Sequence, residues 1–391
     1  MRFKPFICLL FIIGISLKGF ANEKELPIIS ILTCAPGQQI YSIYGHNALR
    51  IRYSDQRDMV LNYGTFDFNT PNFTLKFLRG KLPYRLSLNS YQDFIYEYNM
   101  TQRGVVEQVL DLDSFQLEKM MVYLEENLKT ENREYKYDFF YDNCATRIYD
   151  VLQFSTTEQI DWSQNNTNNY TFRQIIKHYQ RHFPWTSFGI DLIIGSRADK
   201  VTSIQEQMFI PDFVKKHVDF AKINNHSIVK SSATLLSFKQ PEITSFYTFF
   251  IGPLFLFLCF LVFEIYLFYN VAVKKQKLVY PLKIDKLWFV FLLFLTIVMT
   301  TMWFFTDHIP TRDNWNLVWT ISSVFYFFKP LRQSKLYVVL TTILLSISLV
   351  NAFNLPLLPQ YFHPVVGILC VITLLKIYRE QVILNAIRNK V

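Results

Sequence analysis

Two regimes of hydrophobic patterning divide the chain. Through residues 22–245 apolar positions come in short bursts between polar turns; from Phe246 onward they come in long runs. In the first regime Pro27–Cys34, Ala48–Tyr53, Met59–Tyr63 and Val105–Leu110 read as strands, with Asp55–Asp58 as the turn between the second and third. Ser114–Leu128 is an amphipathic helix: Ser114 suits an N-cap, and Leu117, Met120, Met121, Leu124 and Leu128 share one face. Helices are also predicted from Cys144 to Phe154, over Phe172–Tyr179, and as a pair within 195–219 broken at Pro211. Asn62–Phe68 runs into an aromatic-rich loop, Ser163–Tyr170 is a polar loop, and Asn224–Gln240 reads as a tether.

The second regime contains five apolar runs: Phe246–Tyr269, Leu287–Phe305, Trp315–Phe328, Leu336–Ala352 and Tyr361–Tyr378. A helical crossing of a bilayer needs about 20 such residues. The third run is short, and loop charge is what keeps it. If the first regime is exported, Lys274, Lys275, Lys277, Lys283 and Lys286 fall inside. So do Lys329, Arg332 and Lys335, and finally Lys376, Arg379, Arg388 and Lys390, while the outside loops hold Arg312 and histidines. Five crossings satisfy the positive-inside rule, and dropping one breaks it. Glu264, near the inner end of its run, reads as a snorkelling carboxylate.

Composition agrees with membrane contact. The 391 residues include 38 Phe and 23 Tyr, too apolar a mixture for one soluble domain. The net charge of +9 sits largely in membrane-flanking loops, so it orients the protein and does not make a nucleic-acid surface. At the N-terminus, Arg2 and Lys4 precede the apolar stretch Phe6–Leu17 and the small-x-small triplet Gly19-Phe20-Ala21. That is the pattern of a signal peptide over 1–21 cleaved after Ala21, with an uncleaved anchor as the alternative.

Five cysteines bound the chemistry. Cys8 lies in the signal stretch, and Cys259 and Cys370 lie in apolar runs as packing residues. Cys34 and Cys144 remain in the exported part, where they either form a disulfide or leave a thiol for chemistry. Cys144 stands where the polar turn Asp142-Asn143 becomes a helix. There the free amides and the helix dipole favour thiolate and can hold an oxyanion. His46 follows Gly45 at the mouth of a strand and is the candidate base, with the ordinary packed histidine as the bland reading. A base needs an orienting partner, and Asn62, polar within an apolar strand, is the candidate. Tyr44 and Asn143 are candidate substrate contacts. So are His308, Arg312 and Asn314 of the outside loop TDHIPTRDNWN, which reads equally as an interfacial loop or as a platform for a lipid headgroup. The histidines are scattered without zinc-type spacing, and neither a Gly-rich phosphate loop nor a nucleophile-elbow serine occurs. No metal or cofactor is implied.

His before Cys is the reverse of ordinary papain-like peptidases and is the order of their circularly permuted branch. The segments GHNALRI and YDNCATRI, NYGTFDF (Asn62–Phe68), ADKVTSIQEQMFIP (Ala198–Pro211) and DHIPTRDNWN together resemble the Lnb family of bacterial lipoprotein N-acyltransferases. The resemblance implies an α+β permuted papain-like (NlpC-type) periplasmic domain at 22–245. An all-α five-helix transmembrane domain at 246–391 follows, in a bacterial inner membrane with a cytoplasmic C-terminus. It assigns the nucleophile to Cys144 and the base to His46. It further implies a phospholipid acyl donor and a diacylated lipoprotein acceptor. Two rivals stand beside it: an envelope hydrolase on the same scaffold, cutting peptidoglycan peptides or lipids, and a non-catalytic scaffold with a Cys34–Cys144 disulfide.

Overall fold

A computed structural model describes residues 26–162, 169–239, 244–275 and 281–388. The signal peptide, Cys8, most of the loop at 163–170, Gln240, Lys277 and Lys390 lie outside the described residues. The first half is built on an antiparallel sheet. Its strands are β1 (Ile28–Cys34), β2 (His46–Arg52), β3 (Asp58–Thr65), β4 (Pro83–Ser90), β5 (Val105–Leu110), β6 (Glu134–Lys136) and β10 (Val229–Leu236), in the order β10-β5-β1-β2-β3-β4-β6. Central β1 is apolar on both faces because both are covered. Three two-residue strands, β7 (Ile160–Asp161), β8 (Lys222–Ile223) and β9 (His226–Ser227), make a small second sheet.

Helices α1 (Phe73–Leu78) and α2 (Tyr91–Met100) flank β4, and α3 (Ser114–Leu128) and α4 (Cys144–Ser155) follow. On one face Leu49, Ile51, Leu61 and Tyr63 pack against Met120 and Leu124 of α3 and Ala145, Ile148 and Val151 of α4. On the other face Ala48 and Val60 pack against Phe94 and Tyr98 of α2. Then come α5 (Phe172–Gln180), α6 (Pro184–Ile193), a 3-10 turn at Ser196–Asp199, α7 (Ile204–Gln207) and α8 (Pro211–Phe220). Pro211 opens α8 as its first residue, where no backbone N–H is needed.

The predicted tether is not a tether. Val229–Leu236 pairs with β5 as an edge strand, and its polar, mostly exposed residues hid it, since only its backbone is used.

The second half is helical: α9 (Ser245–Phe250), α10 (Pro253–Ala272), α11 (Pro281–Phe304), α12 (Leu317–Thr320), α13 (Ser322–Phe327), α14 (Lys329–Arg332), α15 (Lys335–Ala352) and α16 (Pro364–Arg388). Among the described residues three helices are long and apolar enough to cross a membrane: Pro253–Ala272, Lys283–Phe304 and Lys335–Ala352. The first predicted run breaks at Gly252-Pro253, which leaves α9 as a separate short helix with exposed aromatics. The third is interrupted at Ile321, and Trp319, Thr320, Ser322 and Ser323 are buried within the bundle.

Glu264 does not snorkel. Glu264 of α10 and Asp285 of α11 meet Lys376 and Arg379 of α16 in a buried quartet, with Lys376 Nζ 2.7 Å from Glu264 and 3.0 Å from Asp285. Two carboxylates facing two cations leave no net charge to expel, which is how ions persist in an apolar interior.

The two halves meet along a polar seam. Gly195 N–H donates to Pro310 O (2.9 Å) and Ser196 N–H to Asp313 O (3.0 Å). A Cβ on Gly195 would lie 1.8 Å from Arg312 O, so only glycine permits this approach. Asn314 Nδ2 donates to Leu192 O and Ile193 O, and Asn316 Nδ2 to Asp191 O.

Candidate functional site

The N-terminus of α4 is tightly specified. Asn143 Oδ1 accepts from Ala145 N–H (2.7 Å) and Thr146 N–H (3.0 Å), while Asn143 N–H donates to Thr146 Oγ1 (2.8 Å). Asn143 Nδ2 donates to Phe139 O and Phe209 O. This reciprocal cap fixes Cys144 as the first helical residue. It also corrects the reading of Asn143 as a substrate contact: its polar atoms are engaged by backbone and the residue is buried.

Cys144 is a free, partly exposed thiol held against β2 and β3. Gly64, at φ 81° in the bulge of β3, lets the strand pass over the helix end; a Cβ there would sit 3.4 Å from Cys144 Cβ. Burial pushes the Cys144 thiol up, opposed by the backbone N–H of Asn47, by the amides of Cys144 and Ala145, and by the Arg103 charge. The sulfur therefore rests on the amide of the residue that follows His46. Donors of that kind at a helix start also suit an oxyanion.

His46 opens β2, directly after Gly45 at φ 84°. Its Nε2 lies 3.1 Å from Asn62 Oδ1, and Asn62 Nδ2 donates to Asn89 Oδ1 at 3.1 Å. A carboxamide oxygen only accepts, so Nε2 carries the hydrogen and Nδ1 is the bare, basic nitrogen. Burial pushes His46 down to about 4, against the Asn62 bond and with help from Arg103. Both shifts favour the uncharged thiol and imidazole over a thiolate–imidazolium pair.

Arg103 was not singled out by the sequence. It lies in a turn ahead of β5, its Nε donates to Ala35 O (2.9 Å), and its charge reaches Cys34, His46 and Cys144. Nothing local marks it; only the pairing of Cys34 with both Val105 and His46 brings it near. Cys34 is a free thiol, fully buried and bonded to Tyr98, with burial pushing it up to about 12. The Cys34–Cys144 disulfide is thus not formed.

Tyr44 stands at the side of the cluster: its ring packs on Phe139 (4.8 Å), and its hydroxyl accepts from Gln180 Nε2 (2.7 Å). The outside-loop residues lie in the seam. His308 Nε2 is 3.0 Å from Phe77 O, Arg312 meets Gly195 through its carbonyl, and Asn314 is completely buried. For Asn314 the headgroup reading gives way to a structural one, since its side chain is consumed in joining the two halves.

Fold and site together define a membrane protein whose α/β half carries a cysteine, a histidine and an asparagine beside its helical half. The chain belongs to the Lnb family. The model of the Lnb N-terminal periplasmic domain matches residues 21–178, and that of the Lnb transmembrane domain matches residues 245–386. It is a lipoprotein-processing type of membrane protein with an N-terminal periplasmic domain. No curated protein and no solved structure matches the chain.

Proposed function

We propose that the protein is a lipoprotein N-acyltransferase with Cys144 as nucleophile, His46 as proton carrier and Asn62 as orienter, on a permuted papain-like domain carried by five membrane crossings in a bacterial inner membrane. The observation that carries the reading is the Asn62–His46 hydrogen bond one residue from the amide that holds the Cys144 sulfur.

The chemistry balances with these groups alone. Cys144 gives its proton to His46 Nδ1 as the sulfur attacks an ester carbonyl of a phospholipid. The carbonyl oxygen gathers negative charge beside the amides of Asn47 and Cys144. The C–O bond breaks, and His46 returns the proton to the departing lysophospholipid oxygen. A thioester remains on Cys144. The α-amine of a diacylated lipoprotein's N-terminal cysteine then attacks, losing a proton to His46. The C–S bond breaks, an amide forms, and the proton returns to sulfur.

Mass spectrometry of a co-expressed lipoprotein tests this. One added N-acyl chain is expected, together with a trapped acyl adduct on Cys144 when the acceptor is withheld. Cys144→Ser and His46→Ala abolish the product, and Asn62→Ala lowers the rate about tenfold or more by freeing the ring. Free fatty acid without N-acylation would make the protein a hydrolase, and an unchanged product in Cys144→Ser would end the nucleophile assignment.

A further inference from the structure

Within the α/β half helix α1 stands out by its exposure. It reads Phe73-Thr74-Leu75-Lys76-Phe77-Leu78, and none of its residues is buried. Leu75, Phe77 and Leu78 are about half exposed and nearby Phe68 is 68% exposed. Apolar surface gathered so densely marks a binding surface.

Its two ends decide what binds. At one end the aromatic rings form an unbroken chain. Phe77 stacks with Phe73 at 6.3 Å, Phe73 meets Phe66 at 5.7 Å and Phe68 at 5.2 Å, Phe66 meets Tyr84 at 5.2 Å, and Tyr84 stacks on Tyr137 at 4.3 Å. Tyr137 in turn borders Gly64, the residue that covers Cys144. At the other end α1 is tied to the top of α11. Asp307 N–H donates to Arg79 O (2.9 Å), and His308 Nε2 lies 3.0 Å from Phe77 O. Two residues before Asp307 is Phe305, which with Phe304 presents exposed rings at 69% and 62% on the membrane helix. The aromatic chain thus ends at a loop that leads within two residues to the exposed rings of Phe304 and Phe305. Lys76, Arg79 and Lys81 fringe it, as basic residues do where a helix meets lipid phosphates.

We propose that this aromatic track holds one acyl chain of an outer-leaflet phospholipid and leads it from the bilayer to the Cys144 thiol. This deepens the acyl-transfer reading and rests on it for purpose, though not for binding. An apolar path between membrane and sulfur spares the chain a passage through water, and it leaves the ester beside the thiol when the chain is seated.

The test uses the full-length protein in vesicles of phosphatidylethanolamine and phosphatidylglycerol, doped with a phospholipid carrying a diazirine at the acyl terminus. In Cys144→Ala, where no chemistry occurs, irradiation is expected to label peptides within 66–84 as well as membrane helices. Label confined to the membrane helices overturns the proposal. In a Phe68→Ser/Phe77→Ser double variant, acylation of Cys144 from vesicle lipid falls on the order of tenfold or more, while the rate of Cys144 alkylation by iodoacetamide stays that of the parent, whereas unfolding would expose the buried thiol and raise it. Undiminished acylation overturns the proposal as well. Labelled 66–84 peptides in a protein that forms no acyl adduct with any lipid would keep the track and sink the acyl-transfer reading.

Discussion

The order of the two pKa shifts dictates how Cys144 responds to pH. Burial pushes the thiol above its ordinary 9.0, and burial pushes His46 down to about 4. A stable thiolate–imidazolium pair needs the opposite order. With the thiol above 9, less than about 1% is thiolate at pH 7. Alkylation by iodoacetamide, followed by mass spectrometry of the Cys144 peptide, should therefore climb close to tenfold per pH unit from about pH 6 to about pH 9. Arg103 lowers the thiol, so Arg103→Met slows alkylation at every pH in that range. On the proposed mechanism acyl transfer behaves differently, because there His46 removes the proton during attack and need only be neutral. Turnover should hold steady above about pH 5 and vanish as pH falls through about 4. A flat alkylation rate between about pH 5 and pH 8 would mean a preformed ion pair and would refute this reasoning.

Gly195→Ala places a methyl group 1.8 Å from the Arg312 carbonyl oxygen, and no side-chain rotation relieves a clash with backbone. Its cost exceeds the usual ~1–3 kcal/mol of overpacking, seen as a lower Tm and faster proteolysis across the seam; Gly189→Ala, with nothing within 4 Å, is silent. His46 and His217 both titrate near 4 in the folded protein because they are buried, against 6.5 unfolded. The unfolded chain binds more protons between those values, so stability is full above about pH 6.5 and is lost as pH falls toward about 4; denaturant midpoints across that window check it, and a His217→Gln variant with the same acid slope would contradict it. Lys376→Met strips one cation from the buried quartet and should cost about 3–5 kcal/mol; the paired change Lys376→Met/Glu264→Gln recovers part of the loss in thermal unfolding.

What the sequence disclosed, and what it hid, divides along physical lines. β1 and β2 were legible as short, largely apolar runs bounded by turns, α3 and α4 because burial of one face imposes a helical period, and Cys144 and His46 because a cap and a glycine turn announce them. The edge strand Val229–Leu236 was hidden because it offers backbone only. Strand β4 and helix α2 were missed as well, although Ser90 caps α2 by accepting from Asp93 N–H. The quartet was hidden for a further reason. Glu264 and Lys376 lie 112 positions apart, and one charge in an apolar run looks the same whether it snorkels or is paired. Arg103 belongs to the same kind: its importance is a property of sheet register, which single-residue patterns do not encode.

The seam explains why the α/β half and the helical half work as one body. Arg173 of α5 is fully buried and binds Asp191 (2.8 Å), Asp199 (2.8 Å) and the carbonyls of Ile194 and Gly195. That cation shapes the stretch from α6 to the 3-10 turn, and this stretch is what meets residues 310–316. The same outside loop reaches the other way. Asp307 pairs with Lys136 (2.6 Å), and Ile309 N–H donates to Asp138, whose carboxylate also caps the turn at Phe140 and Tyr141 just before Cys144. One loop of the helical half thus grips both sides of the turn that presents the thiol. These contacts are largely hydrogen bonds to backbone. Each allows a narrow range of separation, whereas an apolar interface would slide. The position of Cys144 relative to the helical half is set by this grip, which, on the proposed acyl transfer, is the condition for the sulfur to meet an ester that cannot leave the membrane.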